Sequence, residues 1–378
     1  MKPARIKWGL LGGGPGSLIG IVHRIAAAMG DDYRLAGGVF SANHAASIEF
    51  ARDLELDPRR AYANVDALIA GESALPPEDR MRLVTIATPN YLHYGEAEKL
   101  VNAGFHVLCE KPVTTEVAQA ENLARLVQAK GVIFAVAHTY TGYPMVRQLR
   151  AMVAAGLLGV VQKVHVQYYQ GWVNPLLRDP DVRRRVWRLD PARSGASSCI
   201  GDIGVHCFNL IEYTTGLRVE RLLADTDTGS ADNSLDVDAS VLLRLTGNVP
   251  GVLCASQIAT AEENNLTVAV YGRTGALKWA QEIPQRLEFL QEGKPASVLT
   301  AGQPYNAPQA RAASKLPPGH PEGFSDAMGN LYRAVARAIN GEPFDAGAFP
   351  GIEDGVRGMR FIEAVLKSAS AGNHWCPV

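Results

Sequence analysis

Three residues of this chain carry groups suited to moving a proton: Lys111, Asp202 and His206. Lys111 stands in Glu110-Lys111-Pro112, directly after the apolar run Val107-Leu108-Cys109. Asp202 and His206 stand in Gly201-Asp-Ile-Gly-Val-His206. Residues four apart on an α-helix share one face, so this carboxylate and imidazole can project together. A lysine, a carboxylate and an imidazole converging beside a nucleotide site form a proton-handling set for alcohol–carbonyl chemistry. Taken singly, a lysine after a strand reads as a solvated loop residue and an Asp/His pair reads as structural. Their joint occurrence argues for chemistry.

The elements that must position them fall into two patterns. Through about residue 137, short apolar strands (6–11, 33–40, 81–87, 105–109, 132–137) alternate with helical stretches (21–29, 45–54, 96–102, 116–128). That alternation predicts βαβ units on a parallel sheet. After His138 come a helix at 144–154, a strand at 160–169 and a polar, arginine-rich stretch to about 195. A helix at 199–215 carries the Asp/His pair. Strands at 222–226, 236–245, 251–258, 266–271 and 276–279 then cluster without intervening helices, which favours a largely antiparallel sheet. Residues 282–321 read as an extended surface segment, and helices at 324–340 and 352–368 close the chain. The expected organisation is a dinucleotide-binding domain over 1–137 and an α+β substrate and oligomerisation domain over 138–378, in an α/β fold overall.

Bulk properties remove several function classes. The 37 basic and 38 acidic residues nearly cancel, so no strong field draws nucleic acid or an anionic membrane. Arg183-Arg184-Arg185 is the one tight basic run and reads as solvated. No apolar stretch approaches the ~20 residues of a membrane span, and no signal-peptide core precedes the first strand. Five scattered cysteines read as reduced thiols, which with these absences predicts a cytoplasmic protein. The histidines lack metal-ligand spacing, so no metal is expected.

Gly12-Gly13-Gly14 after the first strand begins a dinucleotide fingerprint. There the glycines let backbone approach a pyrophosphate and a helix N-terminus faces the anion. The standard third glycine would fall at Ser17, and the next glycine is Gly20. The turn offers Gly12, Gly14, Gly16, Ser17 and Leu18 to the cofactor. After the second strand, Phe40-Ser41-Ala42-Asn43-His44 holds neither the carboxylate that binds a ribose 2′-hydroxyl nor the arginine that binds a 2′-phosphate. Ser41 serves either, so NAD and NADP both remain, with NAD slightly favoured.

These motifs, in this order, resemble the glucose–fructose oxidoreductase / inositol dehydrogenase / MocA family across essentially the whole chain. The residues concerned are Gly12-x-Gly14…Gly20-x-x-His23, Thr88-Pro89-Asn90-Tyr91-x-His93, Glu110-Lys111-Pro112 and Gly201-Asp202-Ile203-Gly204-x-His206. The resemblance implies a Rossmann domain followed by a domain with an open sheet that mediates homodimers or homotetramers. It also implies a nicotinamide cofactor and a sugar-like substrate. On it, Thr88, Asn90, His93, Glu110 and Lys111 join the cofactor side, and Lys111, Asp202 and His206 become the catalytic set. His206 would take the hydroxyl proton, Asp202 would orient the ring or a substrate hydroxyl, and Lys111 would stabilise charge on the reacting oxygen. A lysine ammonium also exchanges protons when its surroundings depress its pKa, so the acceptor is left open between His206 and Lys111.

Further substrate candidates are Tyr140, Arg147, Trp187 and Arg188; the aromatics would supply a hydroxyl and a stacking face. Arg188 reads as an anion contact or as an ion-pair partner of Asp190 or Glu212. His23 reads as structural. The leading function is an NAD(P)-dependent sugar or polyol dehydrogenase. The alternatives are a redox-neutral glycoside-cleaving, lyase or epimerase enzyme with tightly bound NAD, and a non-catalytic cofactor-sensing protein.

Overall fold

The computed structural model describes residues 4–179, 181 and 185–378, so Arg183 and Arg184 lie outside the described residues. The chain divides into two compact units, Met1–Thr139 with Ser325–Val356, and Tyr140–Phe324 with Arg357–Val378.

The first unit is built on five parallel strands: β1 (Ile6–Gly12), β2 (Tyr33–Val39), β3 (Leu83–Ala87), β4 (His106–Cys109) and β5 (Phe134–Val136), in the order β2-β1-β3-β4-β5. β3 and β5 are almost wholly buried, as strands covered on both faces must be. Helices α1 (Leu18–Ala28), α2 (His44–Asp53), α3 (Val65–Ser73), α4 (Asn90–Asn102) and α5 (Val117–Lys130) connect them. Local chemistry sets their limits. Asn43 caps α2 by accepting the N–H groups of Ala45 and Ala46, and α5 stops at Gly131 in the left-handed region.

The second unit holds α6 (Pro144–Ala154), β6 (Val161–Tyr169) and α7 (Val205–Thr215). The strands that follow are β7 (Val219–Asp227), β8 (Asp238–Leu245), β9 (Val249–Ser256), β10 (Asn265–Gly272), β11 (Gly275–Ala280), β12 (Arg286–Gln291) and β13 (Ser297–Thr300). With β14 (Cys376–Pro377) they form a nine-stranded sheet in the order β13-β12-β11-β10-β6-β9-β8-β7-β14. Its pairings are antiparallel except β6 with β9. Burial alternates along β8, so one face packs inward and the other faces out.

Three sequence expectations change. Residues 282–321 are not one extended segment: they contain β12, β13 and a short helix, α8 (Pro308–Ala313). These strands pair at one edge of the sheet, where a half-exposed strand needs little apolar sequence. The helix expected at 199–215 opens with a π-helical turn, Ile200–Gly204, before α7 proper. The division is also not a single cut near residue 137. Helix α9 (Phe324–Ile339) lays Met328, Leu331, Tyr332, Val335 and Ile339 into the core beneath β1 and β2, so 325–356 returns to the first unit. Helix α10 (Ile352–Ser370) follows.

Candidate active site

In the first sheet Gly12 pairs with Ala87, and Ile86 with Cys109, so β1, β3 and β4 end side by side. The chain leaves β1 toward β2 on one side, while β3 lies on the other. Open parallel sheets bind ligands at such a switch point, outside the carboxyl ends. Gly12 has φ +74°, and a Cβ there would lie 2.6 Å from the Ala87 carbonyl oxygen. At Gly14 a Cβ would lie 2.2 Å from the Phe40 oxygen.

The displaced third glycine is explained by position: a Cβ on Gly20 would lie 2.2 Å from the Gly13 oxygen. Gly20 thus supplies the close turn–helix packing, while Ser17 caps α1, its Oγ accepting the Gly20 N–H at 3.2 Å. Gly16 borders open space, and Leu18, the first residue of α1, is 77% exposed. Bare backbone at the N-terminus of α1 suits a pyrophosphate, so the residues present fit a dinucleotide. Ser41 Oγ accepts the Asn43 N–H at 3.1 Å, a local turn that joins the end of β2 to α2. Gly14→Ala is expected to destabilise the protein by about 1–3 kcal/mol, the usual overpacking range, and to weaken dinucleotide binding. Chemical denaturation with and without cofactor measures both.

Glu110 and Lys111 follow β4. The Glu110 carboxylate accepts the Lys111 N–H at 3.2 Å and lies 3.1 Å from His23 Nε2. His23 Nδ1 lies 2.9 Å from the Tyr332 hydroxyl, which lies 2.8 Å from Thr85 Oγ1. Burial pushes the Glu110 carboxyl up, but His23 and Lys111 together outweigh it and hold its pKa below the ordinary value. His23 is buried, as a structural residue should be, and it also anchors Glu110.

Thr88 lies just before α4, Asn90 and His93 fall in its first turn, and Asn90 is buried there. His93 is 0% exposed, with both ring nitrogens against carbonyl oxygens. The expectation that His93 touches the cofactor is therefore corrected: full burial leaves the ring no surface to offer. Thr88 Oγ donates to Glu96 Oε2 at 2.6 Å.

Burial raises the Glu96 pKa to about 7, against the Thr88 hydrogen bond and Lys99, which lower it. A carboxyl whose folded pKa is raised contributes stability below its unfolded pKa and loses it as pH rises through the folded one. Glu96→Gln should therefore gain stability relative to the parent between pH of about 4.5 and about 7. Melting temperatures of the two proteins across that window check it; parallel curves would contradict the assignment.

In the second unit Asp202 lies in the π-helical turn and His206 is the second residue of α7. α-Helical face sharing therefore holds only from Val205 onward, and the Asp/His pair spans the junction. π-Turns recur at functional sites. Buried Asp236 fixes this turn: its carboxylate accepts the N–H groups of Ser198 at 2.9 Å and Ile200 at 2.7 Å. Ser197 Oγ accepts the Gly201 N–H at 2.9 Å.

Gln257 Nε2 donates to Asp202 Oδ2 at 2.9 Å, and Arg188 Nε lies 3.5 Å from the same oxygen. Arg188 thus pairs with Asp202 rather than with Asp190 or Glu212. Asp190 caps a short helix, and Glu212 holds Arg218 and Arg357. Trp187 lies under the Arg188 guanidinium, 4.5 Å from it.

The Tyr140 ring meets His206 edge-on, with centroids 4.8 Å apart. Its hydroxyl lies 2.5 Å from that of Tyr168, which donates to Asn264 Oδ1 at 2.6 Å. Tyr168 has only one proton to give, so Tyr140 donates to Tyr168. Gln170 also donates to Asn264 Oδ1, at 2.8 Å, and Trp172 donates to Gln170 at 3.1 Å. Burial raises the pKa of both phenols, so they are donors here, not bases. Arg147 instead donates from Nε to the Thr141 carbonyl at 3.2 Å.

The residues not anticipated are Asp236, Tyr168, Gln170, Gln257 and Asn264. They sit at strand ends that only pairing brings near α7, and no local motif marks them.

Comparison with known proteins gives concordant results. A family model described as "Oxidoreductase family, NAD-binding Rossmann fold" matches residues 6–138, and one described as "GFO/IDH/MocA C-terminal domain" matches residues 146–278. The uncharacterized oxidoreductase YfiI of Bacillus subtilis (strain 168) is 30% identical, covering 99% of this chain and 96% of its own length. The crystal structure of an inositol dehydrogenase homolog from Azotobacter vinelandii complexed with NAD+ superposes with a TM-score of 0.93 at 31% identity, covering 99% of this chain and 97% of that one. The homolog's complex with NADH and myo-inositol gives 0.90 at 30%, with coverages of 99% and 98%. An oxidoreductase from Sinorhizobium meliloti gives 0.89 at 36%, with coverages of 99% and 100%.

Proposed function

The chain belongs to the glucose–fructose oxidoreductase / inositol dehydrogenase / MocA family and is an NAD(P)-dependent carbohydrate oxidoreductase, and from that premise we propose that Lys111, Asp202 and His206 handle the proton of a secondary alcohol. The observation that carries the assignment is the built start of α7, where Asp236 fixes the turn, Gln257 and Arg188 hold Asp202, and Tyr140 supports His206 edge-on. A side chain fixed this heavily is preorganised, which a proton acceptor requires.

Oxidising a secondary alcohol removes a proton from oxygen and a hydride from carbon, and the nicotinamide, when bound, accepts the hydride. His206 takes the hydroxyl proton through its ring, and in the reverse direction returns it. Asp202 orients the imidazole or a neighbouring substrate hydroxyl. Lys111 places its ammonium at the reacting oxygen as negative charge develops there. When a dinucleotide is bound, the glycine turn before α1 would hold its pyrophosphate, with Thr88 and Asn90 on the nicotinamide side. Trp187 offers an aromatic face, and Gln170 and Asn264 offer amide groups, to a sugar or polyol, while Tyr140 and Tyr168 order that polar row.

The site of action is proposed to be the cytoplasm. The outward face of the nine-stranded sheet, which exposes Leu242 and Tyr271, supports a homodimer or homotetramer. A thermal shift titration tests the cofactor half directly. NAD or NADP should raise the melting temperature with concentration, because each binds only the folded state. No rise with either, in protein free of bound nucleotide, would overturn the reading.

A further inference from the structure

The outward face of the nine-stranded sheet is sorted by charge along its strands. Alternation puts Arg221, Leu223, Asp225 and Asp227 of β7 on that face, with Arg244, Leu242, Ser240 and Asp238 of β8 beside them. Register pairs Arg221 with Arg244 at one end of the strands and Asp227 with Asp238 at the other. β6 adds exposed Lys163 at the arginine end, one residue before Val164, the partner of Gly251. Glu220 also lies at that end, in the bulge between Val219 and Arg221. Between the two ends runs a mostly apolar row, Leu223, Leu242, Val252, His165 and Ala269, in which Leu242 is 47% exposed. Like charges directly opposite on neighbouring strands cost stability, yet the sheet keeps such a pair at each end, of opposite sign. The two guanidiniums lie 5.3 and 5.1 Å from the centre of the Trp375 ring, which orders them without neutralising them. Asp225 accepts Asn373 Nδ2 at 3.1 Å and Asp227 accepts the Gly229 N–H at 2.7 Å, and neither donor is charged. Among the described residues, none of these arginines, aspartates or Lys163 is in an ion pair.

A two-fold dimer of this face has its axis in the plane between the two sheets. An axis along the strands would lay arginine over arginine and aspartate over aspartate. An axis across the strands turns each end over, so the arginine end of one copy meets the aspartate end of the other. We propose that a second copy of this chain packs face to face on this sheet, about an axis that crosses the strands near the Leu223–Leu242 row. Arg221, Arg244 and Lys163 of each copy then face Asp225, Asp227 and Asp238 of the other, and the apolar row lies at the centre. The central strands run eight or nine residues, and nine strands about 4.8 Å apart make a face on the order of 1,000 Å², enough for the roughly 800 Å² per partner of a stable interface. This rests on the homo-oligomer proposed above and adds which way round the copies meet and which charges set it.

The test is sedimentation velocity of the full-length protein over a concentration series. The parent should be an oligomer whose dissociation constant rises with added NaCl, because salt screens the contacts between copies. A flat salt response would overturn the charge register, and it is read on the parent even if a variant fails to fold. The double variants Arg221→Glu/Arg244→Glu and Asp227→Lys/Asp238→Lys should each halve the mass of the particle, with the Kd between copies raised about a hundredfold or more by like charges brought face to face. Mixed in equal amounts, the two variants should regain the parent mass, since each carries the charge the other needs. Folded variants that keep the parent mass alone, or that fail to regain it together, would overturn the register. If Leu242→Glu halves the mass where both charge reversals leave it unchanged, the homo-oligomer reading stands and only this inference fails; a parent that is monomeric throughout overturns both.

Discussion

Replacing His206 by asparagine is expected to lower kcat for alcohol oxidation about 10²- to 10⁴-fold, the usual worth of a positioned general base. Asparagine keeps a polar, hydrogen-bonding side chain but cannot accept a proton at working pH. His206 is buried and braced by Tyr140, and its turn is held by Asp236. The loss should therefore fall on the chemical step, with cofactor binding measured by titration left near that of the parent. The second signature is the pH profile: the acid limb of kcat/KM in the parent should disappear in the variant. Near-normal turnover would remove His206 from the mechanism, and a large loss with the acid limb intact would move the proton acceptor to Lys111.

Lys111→Ala is the other large effect. Removing one preorganised charge from the oxygen that becomes negative typically costs about 10²- to 10³-fold in kcat. Lys111 follows Glu110, whose carboxylate is anchored by His23, so the segment itself should survive the truncation. The acid limb assigned to His206 should persist in this variant, which separates the two roles. Lys111→Arg is not expected to restore the rate, because a planar guanidinium does not replace a compact ammonium at a site shaped for one. Rescue of the alanine variant by added primary amines would support a direct role at the reacting oxygen. Unchanged turnover in Lys111→Ala would end that role.

How much of this was legible in the chain depended on how local each signal was. The parallel sheet could be read because β1, β3 and β4 are short apolar runs ended by glycine or proline, and each link between them is helical. Lys111, Asp202 and His206 could be read because each sits in its own short motif. The register of the glycine turn could not, since only the folded turn shows that Gly20 rather than Ser17 meets the Gly13 backbone. Helix α9 advertised its helicity through its apolar spacing but not the core it joins, because that choice is made by strands some three hundred residues away in sequence, as in Tyr33 donating to the Tyr332 carbonyl. Asp236 and Gln257 carry no motif at all. They became visible only once β8 and β9 paired and brought their flanking residues to the start of α7.

Net hydride transfer from a secondary alcohol to a nicotinamide cofactor is the reaction we propose for this chain. The most direct measurement is the absorbance of reduced nicotinamide when purified protein is given NAD or NADP together with inositols, free sugars and glycosides, with the products identified. Sustained formation of reduced cofactor, in proportion to a ketone product from one of these classes, is the expected result. Cleavage or epimerisation of a glycoside with no net reduction, and nicotinamide released only on denaturing the protein, would contradict it in favour of a closed redox cycle.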